Sequence, residues 1–167
     1  MIACGVSGLD IRLALEDFPK LENCIDSIIT VATPHQGSML ASLYNNDTIH
    51  IEHISRICEL LGIRPDSFKE LNYENIRKFN EYIQDYQNEN RQIYSIGGDT
   101  LIKYMHDILI HSSKSLINSR TNTLEINDND GIFFIDEVEF GDPGDIKNDD
   151  KNYHLGNFNA DHLDLLA

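Results

Sequence analysis

The chain has 167 residues, of which 41% are hydrophobic and 25% charged, so it can bury a core of its own and whole-chain disorder is excluded. Lys and Arg number 13 against 28 Asp and Glu, and the resulting formal charge of −15 repels phosphate backbones and anionic surfaces, which speaks against nucleic-acid binding. No apolar run reaches transmembrane length, and MIACGVSGLDIR lacks the basic-then-apolar order of a signal peptide.

Residues 8–17 read as a helix with Leu9, Ile11, Leu13 and Leu15 as its apolar positions, closed by Pro19. Ser27–Ala32 is a β-branched run ended by Thr33-Pro34, the pattern of a buried parallel strand feeding a loop. Helical periodicity follows over 49–61, with Ile51, Ile54, Cys58 and Leu61 on one face. It resumes over 66–89, with Phe68, Leu71, Ile76, Phe79 and Ile83 aligned and Pro65-Asp66 as the start. Gln92–Ile96 is a second strand ending at Gly97-Gly98-Asp99. Residues 101–117 lean helical, and Gly131–Ile135 is either a third strand or a buried turn. The tail from Ala160 to Leu166 reads as a loop entering a short helix. There is no internal repeat. Strands alternating with helices predict an α/β fold with a parallel sheet flanked by helices. Ligands in such sheets bind at the carboxyl ends of strands, here after Ala32, after Ile96 and around Asp130.

Cys4, Cys24 and Cys58 are an odd set without a CxxC pair. This argues against a disulfide framework and a zinc site, and fits a reducing intracellular compartment; Cys58 reads as a buried helix residue. The acidity concentrates in 125–150, which contains Asp145, Asp149 and Asp150 and reads as a solvated loop. Asn127–Gly131 lacks the EF-hand spacing and terminal Glu. His50 and His53 are three apart on a helix, with no third metal ligand evident.

Three segments stand out together: Gly8-Leu9-Asp10-Ile11-Arg12 opening a helix, Thr33-Pro34-His35-Gln36-Gly37-Ser38 after a strand, and the pair Asn129-Asp130-Gly131 with Asp161-His162-Leu163-Asp164. In order and approximate spacing they resemble the lipases of the α/β-hydrolase fold, nearest to the fungal triacylglycerol lipases and related serine esterases. In that family H-S-x-G-G-L-D-x-R forms the nucleophile elbow, T-P-H-R-G-S follows a strand, N-D-G-L-V carries the acid and D-H-L-D the histidine. The resemblance runs from about Ile2 to Leu166. It implies hydrolysis of carboxylic esters of lipids by Ser/Asp/His acyl transfer, with no cofactor or metal and with transient membrane-surface contact as a route to substrate. It gives Asp130 the acid role and His162 the base role. Taken alone, Asp130-Gly131 is a common turn pair, and Asp161-His162 is a surface pair or a helix cap. His35 reads as a structural ring that fixes the loop after the strand, and Asp10 and Arg12 as structural polar contacts.

Alignment on Gly8–Arg12 places the family's nucleophile on Gly5, its preceding histidine on Cys4 and the first following glycine on Ser7. Ser7 is the candidate nucleophile if the chain shifts locally, and a Cys4 thiol is the second candidate. The third alternative is a catalytically dead module that only binds. The amide of Val6 would be one oxyanion donor, and the other comes from an early loop that this sequence does not contain. The chain is therefore expected to be the C-terminal part of a longer hydrolase, an incomplete fold lacking its N-terminal strands. Residues of about 40–90 would form a helical lid-like insertion, with 49–83 a mobile apolar cover. An acidic interaction protein unrelated to hydrolases stays open, and a long distance between Asp130 and His162 would favour it.

Overall fold

The computed structural model describes residues 1–46, 51–83, 92–119, 129–140 and 154–166. Four parallel strands lie in the order β1 (Ile2–Cys4), β2 (Ile28–Val31), β3 (Ile93–Gly98) and β4 (His154–Phe158). Ile2 pairs with Ile29, Ile28 with Ile93, and Ser95 with His154. Because every pair is parallel, all four carboxyl ends lie on one edge of the sheet. Both expected strands are present within a residue or two. β1 is three residues long, and β4 lies in a stretch to which the sequence pattern assigns no element.

Helix α1 (Ser7–Asp17) follows β1 directly and buries Leu9 and Leu15. A 3₁₀ turn, Pro19–Cys24, leads from it to β2. Between β2 and β3 come α2 (Met39–Asn45), α3 (Ile51–Leu61), α4 (Pro65–Lys69) and α5 (Tyr73–Ile83). The single helix expected over 66–89 is thus two helices over its described part. The break has a local cause: the Asn72 side chain accepts from Asn75 N at 3.0 Å, an N-cap that restarts the helix at Tyr73. After β3 follow a 3₁₀ turn (Ile102–Tyr104), α6 (Asp107–Ser119), α7 (Ile135–Val138), β4 and α8 (His162–Leu166). Gly131–Phe134 is a buried turn rather than a third strand, with Ile132, Phe133 and Phe134 all enclosed; Ile135 opens α7.

The main apolar cluster is built from helices and one turn. It joins Leu9 of α1, Leu40 and Tyr44 of α2, Ile54 and Cys58 of α3, Phe68, Leu71 and Ile76 near α4 and α5, Leu109 and Leu116 of α6, and the Ile132–Phe134 turn. Cys58 is buried as expected, and desolvation pushes its thiol pKa up to about 11. A smaller cluster of Leu15, Ile28, Ile93 and Phe140 packs separately. No helix among the described residues is long and apolar enough to cross a membrane. The acidic run Asp145, Asp149 and Asp150, the pair Asn127-Asp128, His50, the side chain of His53 and residues 84–89 lie outside the described residues.

Candidate active site

Gly5 is the first residue past β1 and has φ +56°, the left-handed conformation that lets the chain reverse directly from strand into helix. Its N–H donates to Val31 O at 2.8 Å, which ties the turn to the end of β2. The apex of the turn is therefore Gly5, and apart from its chain neighbours no atom of the described residues lies within 4 Å of where a Cβ would stand there. Ser7 is the first residue of α1. It is exposed, and its hydroxyl donates to Cys4 O at 2.9 Å. Cys4 is exposed as well.

The loop after β2 is anchored from beneath. Arg12 is buried on α1, where Nη1 donates to His35 Nδ1 at 3.2 Å and Nη2 to Asn80 Oδ1 at 2.8 Å. Its guanidinium also lies about 5 Å from the Phe79 and Phe140 ring centroids, at 5.2 and 5.1 Å. With Arg12 donating to Nδ1, His35 carries its proton on Nε2, which meets Thr30 Oγ1 at 2.8 Å; the Thr30 hydroxyl passes on to Tyr94 O at 3.0 Å. Burial and the Arg12 charge hold the His35 pKa well below its usual value, so the ring is a neutral strut. The structural reading of His35 and Arg12 holds. Asp10, expected to share it, is exposed on α1.

Asp130 sits in the turn that follows α6. Its Oδ1 accepts from Ile132 N at 2.9 Å and Phe133 N at 2.7 Å, a side-chain-to-backbone turn that holds the carboxylate rigidly. Its Oδ2 meets His162 Nδ1 at 2.7 Å, and both side chains are 1% exposed. A carboxylate already accepting two N–H groups accepts here too, so the proton sits on Nδ1 and Nε2 keeps a lone pair. Nε2 is buried and has no partner among the described residues. The ring stands edge-on to Phe133, with centroids 5.4 Å apart. His162 N also donates to Asp130 O at 2.7 Å, so backbone and side chain hold the pair together. Gly98, at the end of β3, lies directly under it. A Cβ there would stand 3.0 Å from Asp130 Cβ and 2.6 Å from Ala160 O. The short distance removes the observation that would have favoured an unrelated acidic interaction protein.

Two further carboxylates stand at the site: Asp161, part of the Asp161–Asp164 motif and one of a pair read as a surface pair or a helix cap, and Glu137, which had no signal in the sequence. Asp161 is fully buried, and its Oδ2 accepts from His106 N at 2.6 Å and His106 Nδ1 at 2.7 Å. Its Oδ1 caps α8 through Leu163 N at 3.0 Å and Asp164 N at 3.1 Å. Hydrogen bonding to Asp161 raises the His106 pKa, with further help from the charges of Asp161, Asp164 and Asp107. His106, Asp161 and Asp164 are close enough together to hold an ion. With four protein donors already on the Asp161 carboxylate, however, the trio reads as a hydrogen-bonded clamp. Glu137 is the second feature, 1% exposed and between the site loops. It accepts from Met39 N at 2.5 Å, Tyr73 Oη at 2.6 Å and Phe134 N at 2.8 Å, joining α2, α5 and the turn of Asp130. Burial pushes its carboxyl pKa up to about 8 despite those donors.

No protein-family model and no curated protein sequence matches the chain. Solved structures do. The mature form of the Bacillus licheniformis lipase BlEst2 superposes with a TM-score of 0.71 at 18% identity, covering 99% of this chain and 58% of that one. The propeptide form of the same lipase gives 0.66 at 17% identity, covering 99% and 32%. The metagenomic carboxyl esterase MGS0156 gives 0.68 at 18% identity, covering 97% and 44%. The chain thus spans between about a third and three fifths of the solved chains it matches. Four parallel strands in this order, flanked by helices and matched along nearly the whole chain, give it the α/β-hydrolase fold of lipases and esterases.

Proposed function

We propose that the chain is a lipase-like carboxylic-ester hydrolase module in which His162 is the general base and Asp130 its orienting acid. The observation that carries this is the 2.7 Å Nδ1–Oδ2 bond between two buried side chains, together with an Nε2 that no group among the described residues uses. Asp130 fixes the tautomer that leaves Nε2 basic and stabilises the imidazolium once it forms. In this reading the Val6 amide, first past the turn, serves as an oxyanion donor. The resemblance in motif and the presence of a lipase and a carboxyl esterase among the structural neighbours both favour an ester substrate. In this reading the helical segment of about 40–90 covers the site. The burial of Ile54, Phe68 and Ile76 in the main core makes that cover a packed wall.

A second reading, a module that binds esters or acids without turning them over, is favoured by Gly5. A glycine at the apex offers no side-chain nucleophile there. Turnover of a short p-nitrophenyl ester by the purified chain, compared with His162→Ala, separates the two. General-base catalysis predicts loss of about two orders of magnitude or more in His162→Ala. Turnover equal to buffer in both proteins leaves only binding.

A further inference from the structure

The turn that carries Asp130 is held at four consecutive amides by side-chain oxygens. Gly131 N donates to Asn129 Oδ1 at 3.0 Å, Ile132 N and Phe133 N donate to Asp130 Oδ1 at 2.9 and 2.7 Å, and Phe134 N donates to Glu137 Oε2 at 2.8 Å. Two carboxylates thus grip neighbouring amides of one segment, Asp130 from its start and Glu137 from beyond its end. Phe133 links the turn to the histidine. Its N–H is on Asp130 Oδ1, and its ring stands edge-on to the His162 imidazole, with centroids 5.4 Å apart. A displacement of Phe134 therefore reaches both members of the pair through Phe133.

A glutamate at the third position of a helix commonly reaches back to the amide before it as a cap. Capping α7, a helix of four residues, does not account for Glu137. A capping side chain can stay in water, whereas Glu137 is 1% exposed and takes two further donors on Oε1. These are Met39 N, which opens α2, at 2.5 Å and the hydroxyl of Tyr73, which opens α5, at 2.6 Å. Its own carbonyl accepts from Gln36 N at 2.9 Å. The far end of the Asp130 turn is thereby tied to the loop after β2 and to two helix starts.

Resting on the ester-hydrolase reading, we propose that Glu137 is a positioning residue of this site: by holding Phe134 N it fixes the turn whose amides orient the Asp130 carboxylate, and so keeps Asp130 Oδ2 on His162 Nδ1. Its carboxyl oxygens are bonded to Met39, Tyr73 and Phe134, so it acts on the pair through the turn.

The test follows the Nδ1–H proton resonance of His162 in the purified, nitrogen-15-labelled chain, with circular dichroism to establish folding and p-nitrophenyl acetate turnover measured alongside. Glu137→Leu removes every acceptor with little change of volume. Glu137→Asp retracts the carboxylate by one carbon–carbon bond, about 1.5 Å. In both, the resonance should move upfield or be lost, and kcat should fall about 10-fold with KM unchanged, the scale set by loss of one buried hydrogen bond. Glu137→Gln can keep its amide oxygen on Phe134 N and should keep the wild-type resonance. Leu15→Ala, in the separate cluster with Ile28, Ile93 and Phe140, weakens the fold away from the turn and should keep it too. An unchanged resonance in folded Glu137→Leu or Glu137→Asp overturns the proposal, as does an equal displacement in Glu137→Gln or Leu15→Ala. Failure of both Glu137→Leu and Glu137→Asp to fold overturns it as well, since Glu137 would then hold the fold rather than the pair. A wild type without turnover overturns the ester-hydrolase reading, while the resonance, which needs no substrate, still decides whether Glu137 positions the pair.

Discussion

Replacing Glu137 with glutamine should remove most of the pH dependence of stability between mildly acidic and mildly alkaline conditions. Glu137 is 1% exposed and its carboxyl pKa is pushed up to about 8, from an ordinary value near 4.5. In that window the folded protein keeps a proton that the unfolded chain has lost. The stabilising contribution is therefore fully present below about pH 4.5 and is lost as pH rises through about 8. At about 1.4 kcal/mol per pH unit the whole window amounts to roughly 5 kcal/mol. The proton belongs on Oε1, where it can be donated to a reversed Tyr73 hydroxyl while Met39 N and Phe134 N still donate to the two oxygens. Glutamine cannot ionise, so its stability should be flat with respect to this position. It also carries a fixed cost of about 1–3 kcal/mol, because its amide opposes one backbone N–H. The assay is urea unfolding at a series of pH values from about 5 to about 9, comparing slopes rather than absolute stabilities. His106 contributes in the same direction in both proteins and cancels in the difference. Parallel curves across the window would refute the reasoning, since they would mean that the native carboxyl is already ionised.

Arg12→Ala should cost about 3–5 kcal/mol in urea unfolding, because it leaves His35 and Asn80 without their donor and two aromatic rings without their cation. Gly98→Ala should lose about 1–3 kcal/mol and split the contact between Asp130 and His162, since the new methyl stands 2.6 Å from Ala160 O and 3.0 Å from Asp130 Cβ. Comparing its unfolding midpoint and its His162 imidazole resonances with those of the wild type checks both effects. Asp161→Asn should speed amide exchange at Leu163 and Asp164, whose N–H groups the carboxylate caps. It should also return the His106 pKa toward its ordinary value, as read by NMR titration.

The pair Asp130 and His162 was legible because each stands in a short motif whose spacing survives: Asn129-Asp130-Gly131 before a buried turn and Asp161-His162 before a helix. β2 and β3 were legible because Ile28–Val31 and Ile93–Ile96 carry apolar residues on both faces. β4 was not, because His154-Leu155-Gly156-Asn157-Phe158 is a mostly exposed strand at the sheet's border with no apolar run, and Leu155 and Phe158 point outward. The interruption between α4 and α5 escaped notice because the apolar period of Phe68, Leu71, Ile76 and Ile83 continues through it. Only the cap at Asn72 marks the restart. Glu137 was invisible, and the burial of Asp161 with it, for a different reason. A buried carboxylate is made by partners distant in sequence, here Met39 and Tyr73 for Glu137 and His106 for Asp161, and the local sequence gives no sign of them.

The central claim is that His162 is held with Nδ1–H on Asp130 and Nε2 free to accept a proton. Proton NMR of the imidazole Nδ1–H at low temperature, with nitrogen-15 labelling to assign it to His162, observes that state directly. The account predicts a protected resonance far downfield of the backbone amides, present in the wild type and lost in Asp130→Asn. A His162 protonated on Nε2 instead, or an Nδ1–H resonance unchanged by Asp130→Asn, would contradict it.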